Sequence, residues 1–353
     1  MKTLKEFNFK NKTVLVRCDF NVPLDNQGVS FPSEIEILDD FKIKEAIPTI
    51  EYLMEKEAKI ILMSHLGRPD GRVVEELRLT PIQTRLMEYL DVSITKSTDC
   101  CSLEIEKWIK EMNPGEILLL ENIQFHPGEK QNDPQFAKTL AGYADIFIME
   151  AFGQAHRNYA SISGIPNYLP SGAGFLFEKE IKALASLMKN PRKPLIAVIG
   201  GAKVETKMKM IDNISEVADF VLLGGLINQE IINQSRHLKY PQKIIAPIDE
   251  MFGGKDIGPK TVHLFKEKIS LAKTVFWNGP LGLIEQTDSS FGSSEIAKAI
   301  VGSGAFSVVG GGETAEFINR LGLIEKFNHI STGGGAMLAF LSGEKLPGIE
   351  ALS

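Results

Sequence analysis

Five short, mostly apolar runs in this chain each end in glycine, and that recurrence narrows the possible folds more than any other feature of the sequence. LIAVI (195–199) meets Gly200 and Gly201, FVLL (220–223) meets Gly224 and Gly225, and TVFW (274–277) meets Asn278, Gly279 and Pro280. FSVV (306–309) runs into Gly310, Gly311 and Gly312, and HIST (329–332) into Gly333, Gly334 and Gly335. A single strand–glycine–helix joint is common in α/β domains for steric reasons alone. Repeated, it predicts a parallel sheet, whose strand C-termini all lie on one edge, where ligands bind. Glycine turns along that edge expose backbone N–H groups and suit an anion, most simply a phosphate or polyphosphate. In the stretch 195–207, Lys203 and Lys207 add cations at i, i+4 spacing, which on a helix project from one face.

A length of 353 residues predicts two domains. Hydrophobic content of 43% and charged content of 24% are those of an ordinary globular protein. A net charge of −6 argues against nucleic acid as the main partner, though not against a local basic pocket for a small anion. Three cysteines, two of them adjacent at Cys100 and Cys101, make neither a disulfide framework nor a metal motif, so a reducing cytoplasm is expected. The sequence has no 18-residue apolar run and a charged, polar start, so neither a membrane span nor a signal segment is expected.

The first half repeats the strand logic with different chemistry. Strands are expected at 13–18, 59–63, 116–120 and 145–149, and helices at 41–55 and 79–90, with an extended loop or hairpin at 27–40. Here the strand ends carry Arg, Asp, Asn and His rather than glycine runs. A long helix is expected at 171–190, between Pro170 and Pro191, with helices at 204–214 and 315–321 in the second half. The fold class is therefore α/β: two doubly wound parallel-sheet, Rossmann-like domains, 1–170 and 191–331, joined by the 171–190 helix as a hinge. The segment 332–353 is expected to return to the first half.

The segments VLVRCDFNVP, ILMSHLGRP, EILLLENIQFHPGE, EAFGQAHRNYAS, AGFLFEKEI, IGGAKVETK, DIGPKT, FWNGPLGLIE, VVGGGETA and ISTGGGA resemble, in order, those of the phosphoglycerate kinase family. The resemblance covers essentially the whole chain. It implies reversible phosphoryl transfer between 1,3-bisphosphoglycerate and ADP, giving 3-phosphoglycerate and ATP, with Mg²⁺ as the nucleotide's cation. It also implies a monomer whose first domain binds the phosphoglycerate, whose second binds Mg-nucleotide, and whose hinge closure brings the two together away from water. Two alternatives remain at this stage: a related carboxylate kinase with an altered acceptor, and a nucleotide-binding homologue of weak catalysis. An ordinary P-loop enzyme is excluded because no GxxxxGK[ST] occurs. A dinucleotide dehydrogenase is disfavoured because no complete GxGxxG follows a strand.

Carried over residue by residue, the resemblance places Asp19 and Asn21 on the glycerate hydroxyl and carboxylate, with His65, Arg68 and Arg157 in the same substrate pocket. Arg17, within a strand, reads as structural. Lys203 and Lys207 match the lysines on the nucleotide phosphates and the moving phosphoryl group. Gly201, Gly225, Gly311 and Gly312 match nucleotide contacts, and Gly312 and Gly335 supply N–H donors at the transferring group. Asn278 and Glu285 match nucleoside contacts, Glu313 stands where an aspartate holds Mg²⁺, and Thr314 is both a phosphate contact and a helix-cap candidate. Several positions depart from the family. Lys42 replaces the arginine credited with stabilising the transferring group, keeping its charge but losing the bidentate fork. Gln124 replaces another arginine of the substrate pocket, removing a cation from the patch that holds the non-reacting phosphate. Glu150 and Gln154 stand where aspartate and threonine are usual, and Lys44 and Arg72 are the nearby candidates to compensate. The region 226–256 is shorter than in the family.

Overall fold

Two six-stranded sheets, every ladder of each parallel, absorb the apolar runs of both halves. The computed structural model describes residues 1–25, 35–201 and 204–353. In chain order the strands of the first half are β1 (Thr13–Arg17), β2 (Leu24–Asp25), β3 (Glu36–Ile37), β4 (Lys59–Met63), β5 (Ile94–Lys96), β6 (Ile117–Leu119), β7 (Ile146–Met149) and β8 (Ser171–Ala173). Those of the second half are β9 (Leu195–Ile199), β10 (Phe220–Leu223), β11 (Ile244–Ile245), β12 (Glu250–Met251), β13 (Asp256–Ile257), β14 (Thr274–Asn278), β15 (Phe306–Gly310) and β16 (His329–Ile330). The first sheet has the order β5-β6-β4-β1-β7-β8 and the second β11-β10-β9-β14-β15-β16, while β2–β3 and β12–β13 are short antiparallel pairs. The chain folds as two compact units, Met1–Lys179 with Lys345–Ser353, and Glu180–Glu344.

The central strands are buried at nearly every position, β9 and β14 along their whole length. That burial explains why they read as continuous apolar runs rather than alternating ones. Helices supply the covering layers. In Phe41–Glu55, Ile43, Ala46, Ile50 and Leu53 form the buried stripe expected of an amphipathic helix. Its internal Pro48 is exposed, so the carbonyl left without a helical donor can face water. The loop expected at 27–40 falls largely outside the described residues.

The long helix expected at 171–190 is shorter than that: it runs Phe175–Lys189, and the preceding residues form β8. Gly172 and Gly174 disfavour helix, and β7 pairs with the extended chain in the register Phe147↔Ser171, Ile148↔Gly172, Met149↔Ala173. The Gly174 N–H then donates to the Met149 carbonyl at 2.8 Å. Where the helix begins, the fully buried Glu150 accepts from the N–H groups of Leu176 (3.1 Å) and Phe177 (3.3 Å). Such free N–H groups at a helix start favour a carboxylate. A side chain on Gly174 would place its Cβ 1.9 Å from Glu150 Oε2, so glycine is required there. Further along, Glu180 is also fully buried. Its Oε1 accepts from the Thr332 N–H (2.6 Å) and hydroxyl (2.9 Å), and its Oε2 lies 2.9 Å from His329 Nε2. These bonds fix the chain just ahead of Gly333–Gly335. Residues 345–353 belong to the first unit, held by Gly348 N–H on the Ala155 carbonyl (2.8 Å) and by the buried Leu346 and Leu352, whereas 332–344 belong to the second. Among the described residues, no helix is long and apolar enough to cross a membrane.

Candidate active site

In the second sheet the chain turns back between β9 and β14: β9, β10 and β11 run outward on one side, and β14, β15 and β16 on the other. The crevice beyond the strand ends at such a reversal is where open α/β sheets bind ligands. Here it is a cleft of about 510 Å³. Its floor is the pair of loops following β9 and β14. They pack backbone against backbone, with the Gly200 N–H on the Asn278 carbonyl (2.9 Å) and the Gly201 N–H on the Pro280 carbonyl (2.7 Å). A Cβ on Gly200 would lie 2.0 Å from the Pro280 oxygen, and one on Gly279, at φ +86°, would lie 2.4 Å from the Gly200 oxygen. Only glycine permits that approach.

Gly201, Lys207, Asn278, Glu285, Gly311, Gly312, Glu313 and Thr314 all line this cleft. The Lys207 ammonium is nearly buried and donates to the Gly200 carbonyl at 2.5 Å, which sets a cation beside the glycine turn. Gly311, at φ +99°, caps the helix Gly312–Arg320, so the first-turn N–H groups of that helix open onto the cleft, and Gly312 has nothing among the described residues within 4 Å of the place a Cβ would take. Thr314 is buried, and its hydroxyl accepts from the Gly279 N–H at 2.9 Å, tying the β14 loop to the β15 loop instead of capping its own helix. Asn278 Nδ2 donates to the Gly310 carbonyl (3.0 Å), while its Oδ1 is buried with no partner among the described residues. Glu285 and Glu313 are exposed at the rim. Gly225 is buried at the start of the helix Gly225–Asn233, where its neighbour Leu226 reaches the cleft; Gly335 is exposed, and it is Gly334 that lines the wall. Lys203 lies outside the described residues. Sequence reasoning did not single out Leu226, Leu283 or Leu338, the apolar part of the lining, because a leucine beside a strand end is indistinguishable from core.

A second cluster sits at the strand ends of the first sheet. Asp19, just past β1, is 5% exposed. Its Oδ2 accepts from Lys42 Nζ at 3.1 Å, and its Oδ1 lies 4.0 Å from His65 Nδ1 and accepts from the Asn21 N–H at 3.2 Å. The Asn21 amide oxygen accepts from the Gly67 N–H at 2.9 Å, tethering the loop that carries His65 and Arg68. Burial opposes the charge on Asp19, but Lys42, His65 and Arg17 around it hold the carboxyl well below its usual range. Burial pushes His65 down to about 3, a shift that Asp19 opposes and the cations of Arg17 and Lys42 reinforce, so the ring is neutral near pH 7. Arg17 is fully buried. Its Nε donates to the Ser161 hydroxyl (2.8 Å), which donates to Glu129 Oε1 (2.6 Å), and its Nη2 is 3.5 Å from His65 Nδ1. Arg17 thus backs the cluster as well as ending a strand. Glu129 and Ser161 had no local signal, because they meet across 32 residues of chain.

Gln124 is buried nearby with its Oε1 unpartnered among the described residues, and its carbonyl accepts from the Gly71 N–H at 3.1 Å in the loop after His65. Arg68 and Arg157 are exposed, and Arg157 makes no hydrogen bond or ion pair through its side chain among the described residues. Of the two candidates to replace the missing cation, Lys44 is engaged by Asp40 (2.9 Å) over the Tyr89 ring, while Arg72 lies within electrostatic reach of Asp70.

The comparisons with known proteins agree with one another. The family model described as phosphoglycerate kinase matches residues 4–243 and 232–344. Phosphoglycerate kinase of Dictyoglomus turgidum is 41% identical over 394 aligned positions, covering 99% of this chain and 97% of that protein. That of Chlorobium phaeobacteroides is 40% identical over 400 positions, covering 100% and 99%. Both alignments are longer than the 353-residue chain and so open gaps in it. The two pieces of the family match meet at 232–243, within the stretch that reads as short. Among solved structures, phosphoglycerate kinase from Pyrococcus horikoshii superposes with a TM-score of 0.87 at 32% identity, covering 100% of this chain and 98% of that one. The Coxiella burnetii structure gives 0.82 at 32%, covering 99% and 98%.

Proposed function

Because the chain belongs to the phosphoglycerate kinase family, we propose that it transfers a phosphoryl group reversibly between 1,3-bisphosphoglycerate and ADP, giving ATP and 3-phosphoglycerate. The observation that carries this reading is the cleft between β9 and β14, where a nearly buried lysine, close-packed glycine turns and an open helix N-terminus converge. In this reading the nucleotide phosphates lie on the N–H groups of Gly311 and Gly312 and against Lys207, with Glu285 and Asn278 toward the nucleoside. Lys203, four residues before Lys207, is assigned to the same phosphates. The Asp19–Asn21–His65 cluster takes the glycerate, with Asp19 ionised and His65 neutral, so that the carboxylate accepts and the ring can either donate or accept.

Phosphoryl transfer of this kind needs no covalent nucleophile from the protein; it needs positioning and charge neutralisation. Lys42 supplies charge beside Asp19, and Lys207 supplies it at the nucleotide. Among the described residues no three His, Cys, Asp or Glu side chains group as a metal site. That fits Mg²⁺, which is usually held by one or two carboxylates together with substrate phosphates. Glu313 is the carboxylate placed for it, and the ion would neutralise phosphate charge. The family reading also makes the enzyme a cytoplasmic monomer. Calorimetric titration with MgADP tests the cleft assignment: one site per chain is expected, weakened in Lys207→Ala. An absence of binding at millimolar nucleotide would remove the cleft from the account.

A further inference from the structure

We propose that Asp40, Arg85 and Tyr89 are positioning residues for Lys42: they clamp the start of the helix Phe41–Glu55 to the helix Thr80–Leu90 and so aim the Lys42 ammonium at Asp19. The inference rests on the kinase reading for what Lys42 does to a substrate, but not for how Lys42 is held. Asp40 stands just before the first helical residue, where an aspartate ordinarily caps the helix's own free N–H groups. Among the described residues its side chain bonds none of them. Asp39 takes part of that task, its Oδ1 accepting from the Phe41 N–H at 2.8 Å. The Asp40 carboxylate turns instead to the second helix. Its Oδ2 accepts from the Arg85 guanidinium and the Tyr89 hydroxyl, and its Oδ1 lies 2.9 Å from Lys44 Nζ. Arg85 and Tyr89, at i, i+4 spacing, share one face of their helix. Arg85 is held further by Glu88 at 2.9 Å, and Lys44 Nζ sits 5.6 Å from the Tyr89 ring centroid. Burial opposes the charge on Asp40, but the bonds from Tyr89, Lys44 and Arg85 hold its carboxyl below the usual range.

This clamp fixes how the helix is turned about its axis. Asp40 and Lys44 are four residues apart, on the side that meets the second helix. Lys42 lies two positions from each, and at about 100° per residue that puts it on roughly the opposite side. There its Nζ donates to Asp19 Oδ2 at 3.1 Å. The Asp40 carbonyl accepts from the N–H groups of Ile43 (2.9 Å) and Lys44 (3.0 Å), closing the turn that contains Lys42. A lysine needs this support more than an arginine would. Its ammonium is a point charge on a flexible four-carbon stem, with no planar fork to orient it on a ligand.

The test reads Lys42 directly. Competitive acetylation of the full-length chain, followed by mass spectrometry, should label Lys42 severalfold faster in Asp40→Asn than in the wild type. The internal control is Lys96, held by Glu121 at 2.7 Å in the same unit, because a general loosening would speed both. Arg85→Gln removes the other end of the same bond and should act alike, which keeps the test valid if Asp40→Asn does not fold. In the coupled kinase assay, Asp40→Asn should lower kcat by about 10–100-fold, the scale of a small misplacement, with the KM for MgATP unchanged. In a Lys42→Ala background it should lower kcat no further, because two residues acting through one contact do not add. Absence of turnover in the wild type would fail the kinase reading and leave the labelling ratio to decide the positioning. A Lys42-to-Lys96 ratio unchanged in both folded variants, or an additive loss of kcat in the double variant, would overturn the proposal.

Discussion

At the scale of single residues, the account rests on charge placed where phosphate would lie. Lys207 is nearly out of water and bonded to the backbone of the glycine turn, so its ammonium is pre-positioned rather than recruited. Lys207→Ala should lower kcat by about 10²–10³-fold, the usual effect of deleting one preorganised donor, with an unchanged melting curve. Unchanged kcat in a folded variant would take this lysine out of the reaction. The opposite case is Gln124. Its type could be read from the sequence, but not that its amide oxygen would be buried without a partner among the described residues. Lys42 likewise read as a charge-preserving replacement, and it pairs with Asp19 at 3.1 Å, where with His65 and Arg17 it lowers the carboxyl's pKa against the effect of burial.

At the scale of elements, the glycine-ended runs were legible because buried parallel strands are written as unbroken apolar stretches, and β9, β10, β14, β15 and β16 appear where those stretches lie. The edge strand β5, three residues long and only partly buried, carried no such signal. The error at 171–190 arose because helical periodicity after Pro170 cannot reveal a strand set by pairing with β7 and by the room Glu150 needs. Glu150 makes that junction pH-sensitive. Burial raises its carboxyl to about 7, against the Thr49 and helix N–H bonds that favour ionisation. The folded form therefore holds its proton where the unfolded chain, near 4.5, releases it. The stability this group contributes is fully present below about pH 4.5 and is lost as pH rises to about 7. From the shift in pKa the loss is roughly 3 kcal/mol. Glu150→Gln should keep the low-pH stability and lose that slope, measured as the difference in urea midpoints between variant and wild type across this window. A difference independent of pH would show that Glu150 does not titrate there.

At the scale of the whole molecule, the sequence revealed two α/β halves, with 332–353 expected to return to the first; residues 345–353 complete the first unit, and the glycine loop before them stays with the second. No local pattern marks where along that terminal segment the return begins. Deleting 345–353 removes the buried Leu346 and Leu352, worth about 3–6 kcal/mol together at the usual value of a buried leucine. Hydrogen exchange should then lose protection in β1 and β7 while β9 and β14 keep theirs; uniform loss would mean that the units do not behave separately. The central claim is that this chain performs phosphoglycerate kinase chemistry with a lysine and a glutamine where the family's substrate pocket has arginines. The measurement that reaches it most directly is a coupled assay of the purified wild type with Mg-ATP and 3-phosphoglycerate. The account predicts ADP formation that depends on 3-phosphoglycerate, saturates with it, and exceeds the rate with unphosphorylated glycerate. No turnover above background at millimolar substrate, or a preference for glycerate, would contradict it.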